Sequence, residues 1–151
     1  MHILCLGINH TTAHLDLRER LAFSEEGIRS ALARLDCGQE CGLQDIVEIV
    51  ILSTCNRIEL YAVSIKPDFS ELETFLSDTR HIKKDDFRPL LYRYLDEQVV
   101  NHLVRVATGL DSLVIGEPQI LGQVMRALEL ALDLVACGPV LSRLFRSAIH
   151  T

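Results

Sequence analysis

The apolar and polar positions of the chain alternate between two rhythms. An apolar run at His2 to Ile8 (HILCLGI) predicts a short buried strand. A polar loop at Asn9 to Thr12 and a short helix-like stretch follow, within INHTTAHLDLRERLAF. Ser24 stands where an N-cap belongs. Glu25 and Glu26 occupy the first turn, and Ile28, Leu32 and Leu35 recur at i, i+4 and i+7, which predicts an amphipathic helix. After the loop CGQECGLQD, the runs IVEIVILS (Ile46 to Ser53) and IELYAVSI (Ile58 to Ile65) read as strands. Pro67 and Asp68 open a second helix over FSELETFLSD, and PLLYRYL (Pro89 to Leu95) reads as a fourth strand. The order is β-α-β-β-α-β, the split ferredoxin-like arrangement of an α+β fold.

From Asp96 onward only the helical rhythm remains. Asp96 is placed to cap EQVVNHLVRVATG, with Val99, Leu103 and Val106 on one face. LDSLVIGEPQILGQVMRALELALDLVACG predicts a turn and then a long helix beginning near Glu117 and Pro118, since proline suits a first helical turn. Gly138 and Pro139 break it, and VLSRLFRSAIHT starts another with no cap before Thr151, a pattern expected of a polypeptide that continues. Residues 1–95 therefore read as a ferredoxin-like part, and residues 96–151 as a small helical part of the same domain.

Composition narrows the class. A chain of 151 residues, 48% apolar and 24% charged, suits one globular domain with a real core. No apolar run has the length of a membrane span, and MHILCLGINH lacks the basic start of a signal peptide, so the expected location is the cytoplasm, or a plastid stroma after removal of a transit peptide. A net charge of −6 opposes nucleic-acid binding by bulk charge, but leaves room for a local patch such as Arg143, Arg146 and His150. The five scattered cysteines predict free thiols rather than a disulfide framework. Cys37 and Cys41 have no second ligand pair at zinc spacing, so no metal site is expected, and Cys5 and Cys137 read as packing residues.

The chemically unusual stretch is VILSTCNRIELYAV. Two strands meet at a bend that uses Ser53, Thr54, Cys55, Asn56 and Arg57 in place of Gly, Asp or Pro. A thiolate is the nucleophilic form of cysteine and a nearby cation favours it, so Arg57 two residues on makes Cys55 a candidate nucleophile. On residue type alone, a structural cysteine is the competing reading. His102 lies beside the apolar face of its helix, either a boundary residue or a proton carrier. Gln119 and Gln123 share a helix face and, with Asp111, Ser112 and Glu117, read either as polar boundary residues or as a pocket wall.

LGINHTTAHLDLRERLAFS, LSTCNRIELYAV and HLVRVATGLDSLVIGEPQILGQV together resemble the N-terminal catalytic domain of glutamyl-tRNA reductase, in the family's order and from Ile3 to the last residue. The family reduces the glutamyl ester of glutamyl-tRNA to glutamate-1-semialdehyde with NADPH, opening the five-carbon route to tetrapyrroles. The resemblance implies that Cys55 attacks the ester to leave a thioester. It implies that His102 is critical for activity, and that Thr54, Asn56, Arg57, Ser112, Glu117, Pro118, Gln119 and Gln123 contact substrate. It also implies a homodimer when full length, and glutamate-1-semialdehyde aminomutase as a partner. Two departures stand out. Met125, followed by Arg126, occupies the place after GQV where the family carries a basic residue. None of the eight glycines forms a G-x-G, so NADPH is expected to bind outside this chain, which would then act at most as an esterase. The alternatives are a non-catalytic RNA-binding module, disfavoured by an aromatic content of 5%, and a haem- or partner-binding regulatory module.

Overall fold

The hairpin around Cys55 forms the middle of the fold. In a computed structural model, which describes residues 1–112 and 119–151, β1 (His2–Asn9), β2 (Ile46–Ser53), β3 (Arg57–Ser64) and β4 (Tyr92–Leu95) form one antiparallel sheet in the order β2-β3-β1-β4. Between β1 and β2 come α1 (Leu15–Leu21), α2 (Glu25–Leu32) and a 3-10 segment, Ala33–Cys41. Between β3 and β4 come α3 (Ser70–Arg80), α4 (Lys84–Phe87) and a 3-10 turn, Arg88–Leu90. Then follow α5 (Glu97–Ala107), α6 (Gln119–Asp133) and α7 (Pro139–Ile149).

Strand alternation divides these helices between two faces. Cys5, Gly7 and Asn9 lie opposite Tyr61, Glu59 and Arg57, and this face receives α5 and α7: the Phe145 ring meets Tyr61 edge-on at 5.1 Å. Leu4, Leu6 and Ile8 lie opposite Ala62, Leu60 and Ile58 on the other face. There Arg93, paired with Leu6, reaches Glu73 of α3 at 3.0 Å. Helix α6 packs against β2, and the segment after it reaches the strand's outer edge, where the Ile49 N–H donates to the Ala136 carbonyl at 2.9 Å. One apolar core runs through both parts of the chain, from Leu4 and Leu60 to Val124, Leu141 and Phe145.

Helix α7 is started by a residue from the sheet. Glu48 of β2, buried to 6% exposure, accepts from the Leu141 N–H at 2.9 Å and the Val140 N–H at 3.3 Å. A carboxylate at a helix N-terminus meets the unpaired amides there. The approach is so close that a Cβ on Gly138 would stand 2.8 Å from a Glu48 oxygen.

Several expectations need correction. The fourth strand is shorter than Pro89 to Leu95, because Pro89 lies in the 3-10 turn. Asp96 precedes α5 but does not cap it. Its carboxylate turns back to β1, accepting from the Ile3 N–H at 2.9 Å and meeting His2 Nδ1 at 3.0 Å. Cys37 and Cys41 are not free thiols: the 3-10 turn brings their Cα atoms to 5.7 Å and the sulfurs are bonded, while Cys5, Cys55 and Cys137 remain free. The Ser24 cap is as expected, accepting from the Gly27 N–H at 3.0 Å. The start of the long helix near Glu117 and Pro118 lies outside the described residues.

Candidate active site

The bend between β2 and β3 dispenses with Gly and Pro because a hydroxyl closes it. Thr54 N–H donates to the Arg57 carbonyl at 2.8 Å, and Thr54 Oγ1 accepts from the N–H groups of Asn56 and Arg57, each at 3.2 Å. Local side-chain-to-backbone bonds of this kind replace a special backbone conformation, and no residue from 53 to 57 has positive φ. Ser53 Oγ accepts the Phe23 N–H at 2.9 Å, joining the bend to the start of α2. Cys55 is exposed.

Beside the thiol is a cavity of about 30 Å3 lined by Thr54, Cys55, Asn56, Arg57, Ser112, Gln119, Ile120 and Gln123. Two elements far apart in sequence form it: the hairpin bend on one wall and the first turns of α6 on the other. Its volume matches the space a single water takes in the liquid.

Beneath the cleft lies a dry ionic cluster. Arg57 is 1% exposed and Glu59 0%. Arg57 Nη1 donates to Glu59 Oε2 at 3.2 Å, and Nη2 donates to the Asp111 carbonyl at 2.6 Å and to its Oδ2 at 3.1 Å. Tyr61 donates to Glu59 Oε1 at 2.6 Å, Tyr92 donates to Oε2 at 2.5 Å, and His102 Nε2 also meets Oε2 at 2.5 Å. Burial pushes the Glu59 carboxyl up. The bond and charge of His102, the charge of Arg57 and the Tyr61 hydroxyl outweigh it and hold the group at about 2. The same carboxylate, added to burial, pushes the Tyr61 and Tyr92 phenols and the Cys5 thiol well up. Cys5, Glu59 and His102 offer ligand atoms within 4.8 Å of one another, but the Glu59 oxygens are already occupied by these four partners.

The family model described as "Glutamyl-tRNAGlu reductase, N-terminal domain" matches residues 6–151. The chain belongs to that family. Glutamyl-tRNA reductase of Pseudomonas fluorescens (strain SBW25) is 45% identical over 151 residues, covering 100% of this chain and 34% of the relative. That of Thermosynechococcus vestitus is 44% identical, covering 99% of this chain and 34% of the relative. Among solved structures, glutamyl-tRNA reductase from Methanopyrus kandleri superposes with a TM-score of 0.75 at 29% identity, covering 98% of this chain and 32% of that one. The chain thus spans about a third of the length of the curated relatives it matches.

Seven of the residues assigned from the resemblance to glutamyl-tRNA reductase share the cleft: Thr54, Cys55, Asn56, Arg57, Ser112, Gln119 and Gln123. Glu117 and Pro118 lie outside the described residues. His102 does not line the cleft; it sits behind it, connected through Glu59 and Arg57. It is also not beside the apolar face of α5 but within the buried face, at 7% exposure, because Glu59 satisfies its ring there. The residues missed in the sequence are Glu59, Tyr61 and Tyr92, while Asp111, read there as a boundary or pocket-wall residue, proves to be a partner of Arg57. A signal existed for Glu59 and Tyr61: with Arg57 they alternate along β3 and so must share a face.

Basic residues divide by position. Arg126, after Met125, pairs with Glu25 at 2.8 Å and Glu129 at 2.9 Å, tying α6 to α2. Arg143, Arg146 and His150 line a cavity of about 770 Å3 along α7. Arg143 also lines a smaller cavity with Ile3, a strand end roughly 20 Å along β1 from the row holding Arg57. No helix among the described residues is long and apolar enough to cross a membrane.

Proposed function

We propose that this chain is the part of a glutamyl-tRNA reductase that takes the glutamyl group from glutamyl-tRNA onto Cys55. The observation that carries the reading is an exposed thiol in a bend whose polar neighbours converge on one cleft, in a chain matched to the family over residues 6–151. The Cys55 sulfur attacks the ester carbonyl carbon, the bond from that carbon to the tRNA ribose oxygen breaks, and the thiol proton ends on the ribose hydroxyl. Thr54 and Asn56 shape the cleft, and Ser112, Gln119 and Gln123 supply polar contacts on its far wall. The substrate carboxylate is assigned to the Nη2 edge of Arg57, where it would take the place of the Asp111 carboxylate. His102 acts from behind, through Glu59 and Arg57. The sheet reads as ferredoxin-like, from its β-α-β-β-α-β order and its antiparallel strand order, with residues 96–151 as the helical part of the same domain.

In the full-length enzyme NADPH supplies the hydride that converts the thioester to glutamate-1-semialdehyde. The reading gives NADPH no role for the residues described: the cleft lining is polar side chains, the thiol and Ile120, and no G-x-G phosphate cradle stands among the eight glycines. The proposal for this chain therefore ends at the thioester and its hydrolysis to glutamate. The full enzyme's dimerisation and its hand-over of semialdehyde to an aminomutase belong to the same reading, as does a cytoplasmic or stromal location.

The test is mass spectrometry after incubation with glutamyl-tRNA. A glutamyl adduct on the peptide carrying Cys55, absent in Cys55→Ser, is expected. Equal adduct in the variant would remove Cys55 from the role. Semialdehyde formed by this chain alone with NADPH would overturn the division of labour. Binding of haem that displaces the substrate, seen by visible spectra, would favour the regulatory alternative.

A further inference from the structure

The sequence placed Arg18 in an ordinary helix, but its side chain does not stay there. From α1 it reaches across 37 positions: Nη1 donates to the Cys55 carbonyl oxygen at 2.7 Å, and Nε donates to the Ala13 carbonyl at 3.2 Å. The two bonds fix the guanidinium plane, a geometry that an ammonium group cannot reproduce. The other side of the same peptide unit is also held. The Asn56 N–H, which shares the peptide plane with the Cys55 carbonyl, donates to Thr54 Oγ1 at 3.2 Å. The Cys55–Asn56 peptide is therefore gripped at both its polar ends, by Thr54 within the bend and by Arg18 from outside it.

We propose that Arg18 is the positioning residue of Cys55. The Cα–Cβ bond that carries the thiol takes its direction from the backbone on either side of the Cys55 Cα, and the rotation between that Cα and its carbonyl is one of the two dihedrals involved. The bend's own bonds, from Thr54 to residues 56 and 57, fix the turn but leave that carbonyl without a partner of its own. Arg18 supplies it. Cys55 is exposed, and among the described residues Arg18 is the side chain that bonds its carbonyl. Arg18 in turn is anchored at Ala13, whose N–H donates to the Asn9 carbonyl at 3.0 Å. Asn9 is the last residue of β1 and lies opposite Arg57. The sheet thus fixes both ends of the clamp, and the direction of the thiol is set by α1 as well as by the hairpin that carries it. Nucleophilic attack on a bound ester is sensitive to displacements of about 1 Å, which cost on the order of 100-fold in rate.

The inference rests on the thioester reading for its effect on rate but not for its geometry, so two measurements separate them. The first is hydrogen exchange at the Asn56 amide. Arg18→Ala is expected to speed it at least about 10-fold, equivalent to losing one bond that restrains the peptide, with unchanged exchange in the core strands. Arg18→Lys should recover only part of the protection. Unchanged exchange at Asn56 in Arg18→Ala overturns the clamp. The second is single-turnover transfer from glutamyl-tRNA to Cys55. Arg18→Ala should lower the saturating rate by about 10- to 100-fold while the half-saturating tRNA concentration moves less than about 3-fold. A change confined to half-saturation would make Arg18 a tRNA contact instead, and overturn the positioning role. If the parent chain forms no adduct at all, the thioester reading fails and the Asn56 exchange alone decides the clamp.

Discussion

The two ends of one short segment, Thr54 to Tyr61, have opposite environments. Cys55 stands exposed at the bend, with Arg18 on its carbonyl; four residues on, Glu59 is sealed at 0% exposure, with two tyrosines, an arginine and a histidine on its oxygens. The comparison separates two requirements. On the proposed reaction, the nucleophile must be reached by a large substrate and so cannot be buried. The groups that orient a charged substrate are more effective when water is excluded and their partners are fixed. Strand alternation lets one hairpin provide both, because residues 57, 59 and 61 turn into the protein while the bend rises above it.

The comparison breaks most completely at its exposed end. Cys55→Ser should abolish the glutamyl adduct in the mass spectrum while leaving thermal unfolding unchanged, within about 0.5 kcal/mol as for other exposed positions. The buried end should behave in reverse. Glu59→Gln is expected to destabilise by roughly 3–5 kcal/mol, because it leaves Arg57 and His102 without their carboxylate, and urea unfolding measures this. Cys55 in the fraction that remains folded should still be alkylated by iodoacetamide, while glutamyl transfer falls with the loss of the carboxylate that joins His102 to Arg57.

Acid titration sharpens the same contrast. The Glu59 carboxyl sits at about 2 when folded, against an ordinary 4.5, so its contribution to stability is present above about 4.5 and is lost as pH falls toward and through 2. Unfolding followed by circular dichroism from pH 5 to pH 2 should be steeper in the parent than in Glu59→Gln. Gly7→Ala probes the space beneath: a Cβ there would meet the Ile58 carbonyl at 2.8 Å and Glu59 Cγ at 2.9 Å, and a cost of about 1–3 kcal/mol is expected. The smallest effect lies furthest from the site. Glu48→Ala removes the carboxylate that starts α7 and should cost about 1–2 kcal/mol, the range for a lost helix cap, with no change in acyl transfer.

Much of this was legible in the residues. Near-continuous apolar runs placed β2 and β3 within one residue of their observed bounds, and Ser24 with its acidic first turn marked α2. The odd bend marked Cys55, and the three family blocks marked seven residues that the structure gathers into one cleft. What was not legible depended on distant partners. His102 looked like a boundary residue because its partner Glu59 is 43 positions away. Asp96 looked like a helix cap because its competing donor, the Ile3 N–H, lies 93 positions back. Arg18 carried no local signal, because the carbonyl it meets lies 37 positions away.

Local pattern by itself determined the strands, most of the helices and the presence of a thiol in a polar bend, because these follow from the spacing of apolar side chains and from turn chemistry over a few residues. Only the tertiary structure decided which charges are buried together and what reaches the Cys55 carbonyl. The buried cluster draws on β3, β4, α5 and the turn at Asp111, and the clamp joins α1 to the hairpin. A carboxylate in an apolar strand is costly alone and stable when surrounded by donors, and donors from separate elements converge only once the sheet and its helices have packed.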